Sequence, residues 1–204
     1  MRCRRFQRGT SWWWRVRVIS RVGLAALVQA SFAGCATYNN ALDAVGYLSP
    51  SAVVIKVPFE RQPSETLCGL AAADMVSRYY HRALAPGVRS NLQREAATLG
   101  GISGGNLRDA FAQSGYRAFV FSADLHNDAT GILWNLDRGR PLIVMYIFKH
   151  TRIGHYVVLA GYDPKRHSMV VFDPRFGQRV VSRREFLRAW EASGRFTLLA
   201  QPRE

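Results

Sequence analysis

The sequence predicts an α+β domain. Helical periodicity dominates residues 68–114, short β-branched runs separated by turn residues dominate residues 117–200, and no repeat or linker divides the two. A strand is expected over Ala52–Val57 (AVVIKV), followed by Pro58 and a polar loop. In CGLAAADMVSRYY, from Cys68, the residues Leu70, Ala73, Met75, Val76 and Tyr79/Tyr80 recur at helical spacing, and Gly69, Ala71 and Ala72 allow close backbone approach. Further helices are expected over Arg89–Leu99 and Asn106–Ser114, with Gly100–Gly105 as a loop and Gly115 as a helix end. A strand at Arg117–Phe121 and a helix at Ala129–Arg138 come next. Strands at Leu142–Phe148, His155–Tyr162, Met169–Phe172 and Gln178–Val181 are joined at Gly154, Asp163-Pro164 and Asp173-Pro174. Ser182-Arg183-Arg184-Glu185 reads as a capping box opening a helix over Arg183–Trp190, and Phe196–Ala200 as the last strand.

The chain has 204 residues, 48% of them apolar, which suits one globular core and excludes collagen-like or low-complexity architecture. It carries 28 basic and 14 acidic residues for a net charge of +14. Residues 1–34 hold seven arginines and no carboxylate, so half of the excess lies in one short segment and residues 35–204 carry only +7. The remaining cations are scattered without interleaved aromatics, which argues against a nucleic-acid partner.

Residues 22–34 (VGLAALVQASFAG) are uncharged and follow the arginine-rich stretch, the layout of a secretory signal and too short to span a bilayer. Ala33-Gly34 before Cys35 resemble the lipobox of bacterial lipoproteins, with Phe32 where that family has Leu, Val or Ile. The resemblance implies a signal over residues 1–34, lipid attachment at Cys35, and an exported domain held on the periplasmic side of a membrane, the outer one in this reading. Residues 35–50 then form a stem and residues 51–204 the folded domain, with Cys68 as the only free thiol left after processing.

That thiol opens a helix, where unpaired N–H groups and the positive end of the macrodipole stabilise a thiolate. His155 opens a strand at a loop edge, and Asp173 ends the next strand before Pro174, where a carboxylate can hold the imidazole. Gln62, six residues before Cys68, has an amide able to donate beside it to an oxyanion. Taken one at a time these have ordinary readings, as a core thiol, a satisfied histidine, a turn-forming aspartate and a solvated loop residue. Cys68, His155, Asp173 and the metal-capable His150 lack C-x-x-C or H-x3-H spacing, so no metal is expected. The glycines at 100–105 are not followed by Lys-Ser/Thr, so there is no P-loop.

The order Gln, Cys, His, Asp is that of papain-like enzymes. Gln62-x5-Cys68-Gly69-Leu70-Ala71, Gly100-Gly101-Ile-Ser-Gly-Gly-Asn-Leu, Arg138-Gly139-Arg140-Pro141, Gly154-His155 through Gly161-Tyr162-Asp163, Val171-Phe-Asp173-Pro174 and Ser182-Arg-Arg-Glu185-Phe186 together resemble cysteine peptidase family 39, the double-glycine leader peptidases. One departure is Leu70, where many members have proline. The resemblance implies a papain-like fold with Cys68 as nucleophile, His155 as general base, Asp173 as orienting acid and Gln62 as oxyanion donor. It further implies a peptide or protein substrate, cleavage after Gly-Gly and no cofactor. The fused exporter ATPase common in the family is not expected, because the chain lacks an ATPase motif. Tyr156, Tyr146 and Trp134 are candidate walls for a narrow glycine subsite. A binding or scaffold lipoprotein, or an amidase or acyltransferase, would use the same fold.

Overall fold

The computed structural model describes residues 47–148 and 153–204. The expected signal, the lipid-bearing Cys35, most of the stem and His150 lie outside these residues. Among the described residues no helix is long and apolar enough to cross a membrane.

The helices are α1 (Cys68–Tyr79), α2 (Pro86–Leu99), α3 (Gly104–Gln113), α4 (Ile132–Asp137) and α5 (Arg183–Glu191), with a 3-10 turn at Glu65–Leu67. The strands are β1 (Val53–Val54), β2 (Tyr116–Ser122), β3 (Leu142–Ile147), β4 (Gly154–Asp163), β5 (Ser168–Asp173), β6 (Gly177–Ser182) and β7 (Phe196–Pro202). They form one sheet in the order β2-β7-β3-β4-β5-β6, with every pairing antiparallel, and β1 added to β4. Three helices precede the main run of strands, as the change of period at residue 115 predicts, while α4 and α5 fall between strands.

The reason α1 leads the domain is its composition. Every residue from Cys68 to Ser77 is buried, and the small Gly69, Ala71, Ala72 and Ala73 among them let the helix lie close to the sheet. Its partner is β4, where nine of ten residues are apolar or sheltered and Tyr156 to Gly161 are all buried. Alternation is absent from β4 and β5 because both their faces are covered.

Several expected bounds shift for local reasons. Only Val53–Val54 of the expected strand 52–57 pairs, although Ile55 still donates to the Ala160 carbonyl at 2.7 Å, and Ile55 and Val57 fill the core. The helix expected from Arg89 starts at Pro86, whose fixed φ and missing N–H suit a first turn. The helix expected from Asn106 starts at Gly104, because the Ser103 hydroxyl accepts from Asn106 N at 3.1 Å and caps it. The helix expected from Ala129 starts at Ile132, because Asp128 holds Thr130 and Gly131 in a turn. The Ser182 hydroxyl caps α5 through Glu185 N at 3.1 Å.

The core strand β4 changes edge partners along its length. β3 pairs with Gly154–Leu159, a bulge follows between Leu159 and Gly161, and β1 then pairs with Gly161–Tyr162. This exchange works only because residue 161 is glycine: a Cβ there would lie 2.2 Å from the Val53 carbonyl oxygen. Gly161→Ala should therefore displace β1 and destabilise the domain by about 1–3 kcal/mol, read as a fall in the thermal midpoint, with an unchanged midpoint refuting the close approach.

Candidate active site

Cys68 is the first residue of α1, directly after the 3-10 turn at Glu65–Leu67. Leu67 at the N-cap offers no side-chain acceptor, so the first-turn N–H groups remain available to an anion. The sulfur is hydrogen-bonded to the His155 ring and accepts from the main-chain N–H of Tyr156 and Gly69. Gly69 keeps this end of α1 on β4, since a methyl group there would meet the Tyr156 ring at 3.1 Å and Leu107 at 3.3 Å.

His155 is the second residue of β4, and Asp173 the last of β5. The β4–β5 register pairs Val158 with Phe172 and so brings the next β5 residue within reach of the histidine: His155 Nε2 lies 2.8 Å from Asp173 Oδ1. Nε2 being engaged, Nδ1 is the ring atom left for sulfur. The same Oδ1 accepts from Arg175 N at 2.9 Å and Phe176 N at 3.2 Å, an Asx turn that fixes the carboxylate. Asp173 is 1% exposed, His155 8% and Cys68 7%. Sulfur, imidazole and carboxylate thus form one hydrogen-bonded chain, in which the carboxylate selects the ring tautomer and supports its charge.

Burial opposes charge on both reacting groups, and the pair overcomes it. Cys68 is pushed up by burial, yet the His155 hydrogen bond, the Tyr156 and Gly69 N–H groups and the imidazolium charge bring the thiol below its usual range. His155 is pushed down by burial, yet hydrogen bonds to Asp173 and Cys68 and their charges raise it to about 9. Both shifts favour thiolate and imidazolium together near neutral pH.

Gln62 stands in the loop before the 3-10 turn. Its main-chain N–H donates to the Pro174 carbonyl at 3.0 Å, and Arg61 Nη1 to the Arg175 carbonyl at 2.9 Å, so the loop is stitched to the turn that holds Asp173. The Gln62 amide donates to the Ser64 carbonyl at 2.8 Å, within its own loop, with a second amide hydrogen to spare, and Oε1 is buried without a protein partner. Among the described residues no group of three or more His, Cys, Asp or Glu side chains is arranged to hold a metal ion.

A groove of about 420 Å3 opens beside the sulfur, between the Gly100–Ser103 loop and the strand residues Met145 and Tyr156. Of the aromatic walls expected for it, only Tyr156 is present. Tyr146 is opposite His155 in the β3–β4 register and packs its ring 5.9 Å from Phe186 of α5, away from the groove. Trp134 belongs to α4, with the Arg138 guanidinium 3.7 Å above its ring. Tyr146 has a role that the sequence did not signal: burial and then the Asp173 carboxylate push its phenol well up, and its hydroxyl and Asp173 Oδ2 are both buried without a protein partner. Only the strand register reveals that neighbourhood.

Comparison with known proteins agrees with this architecture. Residues 54–198 match a family model described as Peptidase_C39 like family. No curated protein matches the sequence. Among solved structures, a double glycine motif protease from an AMS/PCAT transporter, crystallised with its leader peptide, shares 23% identity over 74% of this chain and 94% of that one, with a TM-score of 0.56. The peptidase domain of Streptococcus ComA, a bifunctional ABC transporter, shares 19% over 71% and 97%, with a TM-score of 0.54. A C39-like peptidase from Bacillus anthracis shares 18% over 75% and 98%, with a TM-score of 0.58. The α+β, papain-like fold expected from the sequence is the one observed.

The ionised pair has a direct consequence for thiol chemistry. Cys68 should react with iodoacetamide at pH 6, and its reactivity should change again near pH 9 as His155 gives up its proton. In His155→Ala the hydrogen bond and charge of the ring are lost while burial and the Tyr156 and Gly69 N–H groups remain, so labelling should begin at a higher pH than in the parent, toward the free-thiol value of about 8.5. Mass-spectrometric labelling rates across pH test this, and a parent protein that also waits for pH 8.5 would mean an inert core thiol.

Proposed function

This chain belongs to the Peptidase_C39-like family, and from that premise we propose that it is a cysteine peptidase acting through Cys68, His155 and Asp173. The single observation that carries the reading is the hydrogen-bonded sulfur, imidazole and carboxylate, at the mouth of a groove and on a helix N-terminus.

In the proposed cycle the Cys68 thiolate attacks the carbonyl carbon of a bound peptide, and the carbonyl electron pair moves to oxygen. The Gln62 amide and the first-turn N–H groups of α1 supply donors for that oxyanion. Collapse of the tetrahedral species breaks the C–N bond as the His155 imidazolium gives its proton to the leaving amine, which leaves a thioester on Cys68. Neutral His155 then takes a proton from water, the water oxygen adds to the thioester, and the sulfur leaves as thiolate with the acid product. Asp173 keeps the ring orientation through both halves and is not itself protonated.

The proposed substrate is a peptide with Gly-Gly before the scissile bond. The Tyr156 ring and Met145 face the Gly100–Ser103 loop across a groove whose floor is close to Cys68, which disfavours branched residues next to the reacting carbonyl. The structural relative bound to a leader peptide supports a peptide ligand for this fold. The same proposal holds the enzyme as an exported lipoprotein acylated at Cys35, on the arginine-rich, apolar and small-residue order of residues 1–35.

Purified protein should cleave a peptide containing Gly-Gly, with product masses locating the cut, and Cys68→Ala should cleave nothing. Gln62→Ala should lower kcat by about 10²–10³-fold with little change in KM. Asp173→Asn should retain part of the rate, since an amide oxygen also accepts from Nε2–H. Cleavage by Cys68→Ala at the parent rate would overturn the mechanism. Equal cleavage of Gly-Gly and Leu-Leu peptides would overturn the specificity alone.

A further inference from the structure

A cluster of basic side chains lies at the end of β4 remote from the catalytic groups. Arg166 and His167, in the turn between β4 and β5, and Arg183, Arg184 and Arg188, on α5, line a hollow of about 1040 Å3. Glu191 is the one carboxylate on its rim, and it is already bonded to Arg195 Nη2 at 3.1 Å. Among the described residues none of these four arginines forms an ion pair, and all are exposed. Elsewhere Arg175 is paired with Glu65 at 3.0 Å and Arg78 with Glu60 at 2.7 Å.

Two of the unmatched cations stand where a helix disfavours them. Arg183 and Arg184 occupy the first turn of α5, at the positive end of its dipole, so their charge adds to that of the helix. Such a placement is unfavourable in isolation and becomes favourable against an anionic surface.

The chain also enters the domain here. Ser49 is fastened to Asp163, its N–H donating to Oδ2 at 2.6 Å and its hydroxyl to Oδ1 at 2.7 Å. Asp163 Oδ1 also accepts from Lys165 N and Arg166 N, the start of the same basic turn. Asp163 is the last residue of β4 and His155 the second, so the entry point and the reacting histidine are roughly 25 Å apart along one strand.

We propose that the Arg166, Arg183, Arg184 and Arg188 face is a docking surface for an anionic phospholipid bilayer. The choice of a bilayer over an acidic protein rests on the export reading of residues 1–35, whose Cys35 is only twelve residues before Tyr47. A leash of twelve residues reaches at most about 40 Å, comparable with the domain itself, so tethering alone leaves orientation open. Four unmatched guanidinium groups near the Ser49–Asp163 anchor supply the missing constraint, because cations near an anionic leaflet are attracted over about a Debye length. Docked this way, the enzyme holds the Cys68 groove at the end of β4 away from the lipid, open to peptides.

Hydrogen exchange of the full chain, with vesicles of phosphatidylglycerol and phosphatidylcholine in equal parts or of phosphatidylcholine alone, tests the surface itself. Amides of residues 165–168 and 183–188 should slow on the anionic vesicles only, while those of residues 100–103 keep their rates. The fourfold variant with Gln at 166, 183, 184 and 188 should lose that slowing, whereas Lys at the same positions should keep it. Cys68 alkylation at the parent rate checks that each variant is folded. A chain that is retained on vesicles while these amides exchange as in solution overturns the docking surface and leaves the export reading standing. A chain that ignores both vesicles overturns the two together, and slowing by soluble polyglutamate with none on vesicles replaces the bilayer by an acidic polypeptide.

Discussion

A carboxylate with 1% exposure organises the catalytic end of this molecule. Burying Asp173 is unfavourable unless its oxygens are matched, and the fold matches Oδ1 three times, by the His155 ring and by the N–H groups of Arg175 and Phe176. Those three donors come from a strand and from the turn that follows Asp173, so the β4–β5 register, the Asx turn and the histidine orientation stand or fall together. The turn in turn receives Gln62 N and the Arg61 side chain, which ties the loop before Cys68 to the carboxylate. Cys68, His155 and the Gln62 loop, the groups of the proposed mechanism, are linked through the surroundings of one buried carboxylate.

How much of this was legible in the sequence differs by residue. Cys68 stood at a helix start because the apolar period begins there, His155 at a strand start because Gly154 precedes a β-branched run, and Asp173 at a strand end because Pro174 follows. Those three placements are local properties, and local patterns carried them. The Gln62 partners are not local: its main chain meets Pro174, 112 residues on, and its amide turns to Ser64. Tyr146 and Trp134 were expected in the groove on size alone. Strand parity sends Tyr146 to the α5 side, and Arg138 and Arg140, just after α4, cover Trp134. The strand expected at 52–57 shortened because its apolar residues bury equally well without a ladder, and composition does not distinguish the two.

Charge is divided along the same strand that carries the histidine. Beside the Asp173 turn Arg175 faces the Glu65 carboxylate, and at the β4 end the arginines face solvent beside the point where the chain arrives. An overall positive balance is a poor guide to partners, because half of it belongs to residues 1–34 and the remainder is spread along residues 35–204. What is left unneutralised on one side is the informative part.

The enclosure of α1 carries one more implication. Ten consecutive residues beginning with the nucleophile are buried, so the sulfur-bearing segment has no frayed or independently opening turn. Heating should abolish turnover and the folded state in a single cooperative event, with no half-melted species that keeps its thiol poised or loses it early. The lifetime of the proposed activity is then governed by the global unfolding equilibrium of the whole domain.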